Sequence, residues 1–307
     1  MAGADGGEAD VGASELAEAL RAHAPFLLPI QPLQRVGFGY NSYVFMTASG
    51  WIVRVARSAE AAARHLGESV FLSNVAPQLS VAVPTPRRAL SPSAAAPFGA
   101  TAYRSLPGRV MTEADATAPG WERIAEDLGR NLAMLHSIPA EAIPGLPTPK
   151  ADRLVQLHQA TAAHLRKRVS EAEWRRVEAW WASLSVDSAF VQTALAVTHG
   201  DPKWQNLMVA ESRLSGILDW EFVSQSDPAN DLGVTLYMGE PFFDAVLGAY
   251  TACRDRWRDP TLEHRARRLF ATCVFYGMQV AIERQDEAEW VDALRKLREG
   301  PILSRKT

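Results

Sequence analysis

The sequence predicts an α+β fold of two unequal lobes, a small antiparallel-sheet lobe first and a larger, mainly helical lobe after it. Three observations predict this. Between about residues 30 and 106, short runs of alternating apolar and polar residues are punctuated by Gly and Pro, the period-2 signature of strands. From residue 121 onward, apolar residues recur every three or four positions, the period of amphipathic helices. Within this helical stretch lies a compact group of short apolar runs, ALAVT, NLMVA and LSGIL, with polar residues gathered at their ends.

The elements follow in order. Residues 1–13 are rich in Gly and acid, have no apolar core, and read as a disordered tail rather than a signal peptide. Ser14 is placed to cap a short helix, ELAEALRAH, that ends before Pro25. Strands are expected in IQPLQRVGFGY, NSYVFMTA and, after a Ser49-Gly50 turn, WIVRVAR. In the last of these Trp51, Val53 and Val55 share one face, while Ile52, Arg54 and Ala56 share the other. An arginine in mid-strand marks a face that is not simple core. Residues 58–75 read as a helix with Glu68 inside it. After Val83-Pro84-Thr85-Pro86, a strand pair is expected near 87–90 and 98–106, separated by SPSAAAP. Leu106-Pro107-Gly108 breaks the pattern and divides the chain into residues 14–106 and 107–307.

In the second part, residues 121–138 place Ile124, Leu128, Leu132 and Leu135 on one face, with Glu126 and Arg130 as an exposed i,i+4 pair. Further helices are expected at 151–167, 171–184, about 231–258, 260–285 and 287–299. The 260–285 helix carries a wide apolar stripe of Leu262, Ala266, Leu269, Phe270, Cys273, Gly277 and Val280. A deep cleft between the two lobes is the expected ligand site.

Composition narrows the function classes. The 307 residues are 47% hydrophobic and 22% charged, ordinary usage that excludes a disordered or fibrous chain. A net charge of −3 argues against a nucleic-acid binder acting through a basic field. Two cysteines, Cys253 and Cys273, are too few for a disulfide scaffold or a four-thiolate zinc site and fit a reducing compartment. No apolar stretch approaches the ~20 residues of a membrane span. The expectation is a soluble, cytoplasmic, monomeric protein.

The chemistry-bearing residues cluster in His199-Gly200-Asp201-Pro202-Lys203-Trp204-Gln205-Asn206 and in Ile217-Leu218-Asp219-Trp220-Glu221. Asp201 and Asn206 lie on a loop after one apolar strand, and Asp219 ends the next strand pair. Phosphoryl transfer from a nucleotide needs such a set: a carboxylate to orient the acceptor hydroxyl and take its proton, and hard oxygen ligands to hold Mg²⁺ against phosphates.

These motifs resemble the catalytic and metal-binding segments of the aminoglycoside phosphotransferase family, which has a protein-kinase-like fold and includes macrolide kinases. The resemblance runs from about residue 33 to about residue 295. It implies that Asp201 is the catalytic aspartate, that Asn206 and Asp219 are Mg²⁺ ligands, and that Lys203 approaches the transferred phosphate. His199 has a structural role, bonding backbone around the loop. Gly37, Gly39 and Ser42 are similar to the nucleotide-positioning loop. Arg54 stands where kinases carry a lysine paired with a helix glutamate, here Glu68, so the grip on the phosphates is by a planar guanidinium. Macrolide kinases resemble this sequence in carrying an arginine within a W-[VI]-x-R-x-x-R stretch, here Trp51 to Arg57. Ala102 to Gly108 resembles the inter-lobe linker, with backbone contacts to the base expected at Ser105 and Leu106. Asp231 is expected to cap the next helix and order the loop; a substrate contact is the lesser reading. Glu221, Tyr237 and Glu240 are the remaining acceptor-side candidates, with Asp244 beside them.

The resemblance thus implies an enzyme that moves the γ-phosphate of ATP or GTP, with Mg²⁺, to a hydroxyl of an antibiotic. An aminoglycoside comes first. A macrolide is the alternative, followed by a metabolic amino alcohol or sugar. The large lobe is rich in tryptophan (Trp174, Trp180, Trp181, Trp257), which leans toward the macrolide reading. A reading from another class, a non-catalytic kinase-like binding module, is disfavoured because all three catalytic polar residues are present.

Overall fold

The computed structural model describes residues 12–38, 42–143, 145–148, 152–191, 193–253 and 259–304. The expected nucleotide-loop residue Gly39, Trp257 and most of the N-terminal tail lie outside the described residues.

Helix α1 (Ala13–His23) begins at Gly12 with no side-chain cap, so Ser14 lies inside its first turn rather than capping it. The helix also begins before the predicted end of the tail. A five-stranded antiparallel sheet follows: β1 (Gln34–Phe38), β2 (Ser42–Met46), β3 (Trp51–Ala56), β4 (Arg87–Leu90) and β5 (Ala100–Arg104), in the order β1-β2-β3-β5-β4. The predicted alternation is realised in β3. Trp51, Val53 and Val55 join Tyr43, Phe45, Ala100 and Ala102 in a cluster with Leu16 and Leu20 of α1. Ser42 and Val44 of β2, in register with Ala56 and Arg54 of β3, lie on the other face. Helix α2 (Ala59–Val75) turns polar buried side chains, His65 and Glu68, toward that face, and Ser58 caps it by accepting the Ala61 N–H. Its second half, Phe71, Leu72 and Val75, belongs to a different cluster, the large central core.

That core is built by β6 (Arg109–Val110), helix α3 (Trp121–Leu135) and the elements that follow. Ile124, Leu128, Leu132 and Leu135 are buried as the periodicity predicted, and Arg130 bonds Glu126 on the outside at 2.7 Å. After α4 (Arg153–Arg166) and α5 (Glu171–Ser185) come β7 (Ala196–Thr198), β8 (Leu207–Ala210), β9 (Arg213–Ile217) and β10 (Ser224–Ser226). Strands β6, β8 and β9 form one small sheet and β7 with β10 another. The segment after α2 is stitched to β9, since the Ala82 N–H donates to Ser215 O at 3.1 Å and Ala82 O accepts the Ile217 N–H at 2.9 Å.

The single helix expected over 231–258 is broken. The structure has α6 (Ala229–Val234), a 3₁₀ turn at Thr235–Met238, and α7 (Glu240–Ala252). Gly239 between them has φ +96°, and Pro241 in the first turn of α7 has no N–H with which to continue a preceding helix. Helix α8 (Leu262–Arg284) departs from its predicted stripe. Leu262 and Ala266 are buried in the central core, but beyond them Ala271, Phe275, Met278 and Ala281 are the buried positions, while Cys273, Gly277 and Val280 are half-buried. The cause is a change of partner along the helix. Its first half packs on α6, and its second half packs with α4, α5 and α9 (Glu287–Glu299) in a third cluster that absorbs Trp181 and Trp290. Among the described residues, no helix is long and apolar enough to cross a membrane.

Candidate active site

The loop between β7 and β8 is shaped by buried hydrogen bonds. Asp231 on α6 is fully buried and accepts the backbone N–H groups of His199 and Gly200, each at 2.7 Å, and bonds His136 Nε2 at 3.0 Å. Burial works against its charge, but the His136 bond and the Gly200 N–H outweigh burial and hold the carboxyl below its ordinary range. Asp231 therefore neither caps its helix nor faces a substrate, as the sequence reading allowed; it organises the loop from beneath. Asp227 accepts the Ala229 N–H at the start of α6 instead. His199 is also used structurally. Its Nε2–H donates to Leu218 O at 2.9 Å, and its Nδ1 accepts the Asp201 N–H at 3.2 Å. Gly200 has φ +95°, and a Cβ there would stand 2.7 Å from both Cβ and O of Phe222, so only glycine fits.

Asp201, Asn206 and Asp219 are brought together. Asn206 Nδ2 donates to Asp201 O at 2.8 Å and to Asp201 Oδ2 at 3.2 Å, which turns its Oδ1 the other way. Asn206 O accepts the Leu218 N–H at 2.7 Å, which fixes the residue before Asp219. Asp219 itself takes the left-handed backbone, φ +59°, rare for a non-glycine residue. Lys203 Nζ lies 2.7 Å from Asp201 Oδ2. Burial pushes the Asp201 carboxyl up, against the pull of Lys203, and Asp219 adds to the upward push.

The phosphate-side candidates face this group. Arg54 Nη1 donates to Glu68 Oε2 at 2.5 Å, with both side chains largely buried. Burial opposes the Arg54 charge, but Glu68, Tyr103 and Asp219 together hold it above its ordinary value. The Asp219 carboxylate thus acts on both Arg54 and Asp201. Tyr103, on β5 beside Arg54, was missed by sequence reasoning; burial pushes its hydroxyl up to about 12. Glu221 adds its charge at Glu68. Gly37 lies in β1 opposite Val44, after a bulge. The Ser42 hydroxyl bonds His65 Nε2 at 2.7 Å, a second partner the sequence did not signal. In the linker, the Ser105 N–H donates to Gly50 O at 3.0 Å. The Leu106 side chain lies where a Cβ on Gly216 would be 2.8 Å away.

Past the Asp201 loop, Trp204 stands edge-on to Tyr237, and Tyr237 edge-on to Phe270, with centroid separations of 6.2 and 4.9 Å. Tyr237, Phe270 and Cys273 line a cavity of 290 Å³ together with Leu236, Leu297 and Ile302 and with the charged Lys296 and Glu299. Burial, then Cys273, with Asp201 beyond it, push the Tyr237 hydroxyl well above its usual value. Glu240 is not gathered to this cavity: it bonds Arg267 at 2.7 Å, which also reaches Glu263, with Asp244 at 3.8 Å.

The donor set for a metal is sparse and hard. Among the described residues, no three His, Cys, Asp or Glu side chains gather as a cage. One carboxylate, Asp219, and one amide oxygen, on Asn206, are the kind of set Mg²⁺ takes when phosphates supply the remaining ligands.

The fold is shared with solved phosphotransferases. The GDP and kanamycin complex of APH(2")-IIia superimposes with a TM-score of 0.80 at 19% identity, over 93% of this chain and 97% of that one. The macrolide 2'-phosphotransferase MphH from Brachybacterium faecium, an apoenzyme, does so with a TM-score of 0.68 at 23% identity, over 95% and 99%. In sequence, the viomycin phosphotransferase of Streptomyces vinaceus is 28% identical over 202 residues, 62% of this chain and 66% of that protein, just under two thirds of its length. The model of the phosphotransferase enzyme family (APH) matches residues 33–270, more than half of the sequence, and the chain belongs to that family.

Proposed function

We propose that this protein transfers the γ-phosphate of ATP or GTP to a hydroxyl group of a small-molecule antibiotic. The observation that carries the reading is the convergence of Asp201, Asn206 and Asp219 opposite the Arg54–Glu68 pair. Asp201 orients the acceptor hydroxyl and takes its proton. Its raised affinity for a proton suits a base that must accept one near neutral pH. Lys203, already at the Asp201 carboxylate, supplies positive charge on the side where the phosphoryl group arrives. Arg54, held by Glu68, binds the nucleotide phosphates, and Gly37, Ser42 and the linker at Ser105 and Leu106 bound the rest of that site. Asn206 Oδ1 and the Asp219 carboxylate would hold Mg²⁺, which would neutralise phosphate charge. Little covalent chemistry is asked of the protein; positioning and fixed charge carry the rate.

GDP is bound in the APH(2")-IIia complex, and ADP in that of APH(2'')-Ib, which supports a nucleotide co-substrate here. The acceptor binds at the cavity beside Tyr237 and Phe270. An aminoglycoside is the acceptor the family resemblance implies. A macrolide is the second reading, and one observation favours it: the acids expected to attract a polycation, Glu240 and Asp244, face Arg267, while the cavity wall is mainly aromatic and aliphatic, with one acid, Glu299, and one base, Lys296. The reading takes the two lobes as meeting near Pro107-Gly108 around one active site, in a monomeric cytoplasmic enzyme, which fits the low cysteine usage.

A coupled turnover screen tests this, with Mg-ATP and Mg-GTP against aminoglycosides, macrolides, tuberactinomycins and amino alcohols. Phosphorylation of an antibiotic hydroxyl is the expected outcome. Failure to bind either Mg-nucleotide overturns the reading.

A further inference from the structure

Helix α2 carries two buried polar side chains one turn apart, His65 and Glu68, and both face the sheet. Glu68 grips Arg54 in mid-β3. His65 grips Ser42, the first residue of β2, through a 2.7 Å bond between Nε2 and Oγ. Ser42 pairs with Ala56 and Val44 with Arg54, so Ser42 and Arg54 are diagonal neighbours on the same face of the same strand pair. Ser42 and His65 are 4% and 3% exposed, so the Ser42 hydroxyl is committed inward, to the helix. A buried hydroxyl and a buried imidazole each need a hydrogen-bond partner, and here they supply one to each other, which makes this contact a specific tie rather than incidental packing.

We propose that His65 is a positioning residue for the nucleotide: through Ser42 it fixes where β2 begins after the glycine-bearing segment, in register with the Arg54 guanidinium that Glu68 holds from the same helix. One helix face thereby sets both the strand entry and the cation that must address a single polyphosphate. Burial, and then the neighbouring Arg54 charge, hold the imidazole neutral, at about 3, so the tie is not lost in the physiological range. The sequence places Ser42 in the segment similar to the nucleotide-positioning loop; in this proposal its hydroxyl carries the helix's hold into the strand. This inference rests on the nucleotide reading of the Arg54 side of the cleft.

The test uses the full chain and three variants, with Mg-AMPPNP and Mg-GMPPNP binding by calorimetry and steady-state kinetics on an acceptor from the screen. His65→Leu and Ser42→Ala each weaken nucleotide binding and raise nucleotide KM about tenfold, with acceptor KM changed less than about twofold. His65→Gln, which can present an amide group near the Nε2 position, recovers most of the loss. The pair His65→Leu with Ser42→Ala is no worse than either alone. Unchanged nucleotide affinity in Ser42→Ala, parallel changes in both KM values, or additive losses overturn the inference. If His65→Leu does not fold, Ser42→Ala and His65→Gln still decide it. Failure of the wild-type chain to bind either nucleotide overturns the functional reading instead, so the two failures are distinguishable.

Discussion

Lys203 Nζ stands 2.7 Å from Asp201 Oδ2, and the same oxygen accepts the Asn206 amide N–H at 3.2 Å, so two donors converge on one atom of this carboxylate. Asp201→Ala removes the group both of them position. Turnover is expected to fall by about 10³-fold or more while Mg-nucleotide affinity is kept. Lys203→Ala is expected to lower kcat by about 10²-fold. Single-turnover kinetics with calorimetric nucleotide binding check both; near wild-type phosphorylation by Asp201→Ala would sink the assignment.

Tyr237→Ala is expected to raise acceptor KM by about tenfold and to leave nucleotide KM unchanged, because the ring lies between Trp204 and Phe270 at the cavity wall, away from Arg54. Kinetics varying each substrate in turn separate the two. An equal effect on both substrates would place Tyr237 outside the acceptor site.

Arg265 is 1% exposed and is neutralised by Asp227 at 2.8 Å and Asp259 at 2.8 Å. Asp227→Ala strips it of one carboxylate and also removes the acceptor for the Ala229 N–H. The expected loss is roughly 3 kcal/mol of unfolding free energy, read from urea denaturation with an unchanged m-value.

Gly129→Ala tests how closely α3 and α7 cross. A Cβ there would stand 2.3 Å from Val246 O, a backbone atom that cannot turn aside as a side chain would. A destabilisation of roughly 1–3 kcal/mol is expected in thermal unfolding. A neutral result would mean the helices separate without penalty.

Glu173 is held at about 2, first by the Arg298 side chain and then by the Ser170 N–H in a capping box. Its folded-state value is below the unfolded one, so its contribution is complete above about 4.5 and is lost as pH falls from there toward about 2. Glu173→Gln is expected to flatten the stability–pH curve in that window and leave the slope above pH 5 unchanged, as pH-resolved denaturation would show.

Much of the architecture was legible because it rests on local periodicity. The alternation in Trp51 to Ala56 assigns faces to β3 directly, and the spacing of Ile124, Leu128, Leu132 and Leu135 does the same for α3. The convergence of Asp201, Asn206 and Asp219 was legible because they lie within two short segments joined by recognisable strands. The rest was hidden by distance along the chain. Asp231 looked like a helix cap because its partners, the His199 and Gly200 N–H groups, lie some thirty positions earlier. Distance along the chain likewise concealed Ser42–His65 and the contact of Glu240 with Arg267. In α8 the periodicity was real, but two neighbours in succession divided the stripe between them.

The root of α2 has a mechanical consequence. Arg54 belongs to a strand whose opposite face is sealed by α1, whereas Glu68 sits on a helix whose end, at Phe71, Leu72 and Val75, is embedded among the residues of α3 and β9. Their bond therefore crosses the seam between two separately packed bodies. The Arg54–Glu68 bond thus ties the cluster around α1 and β3 to the cluster around α3 and β9.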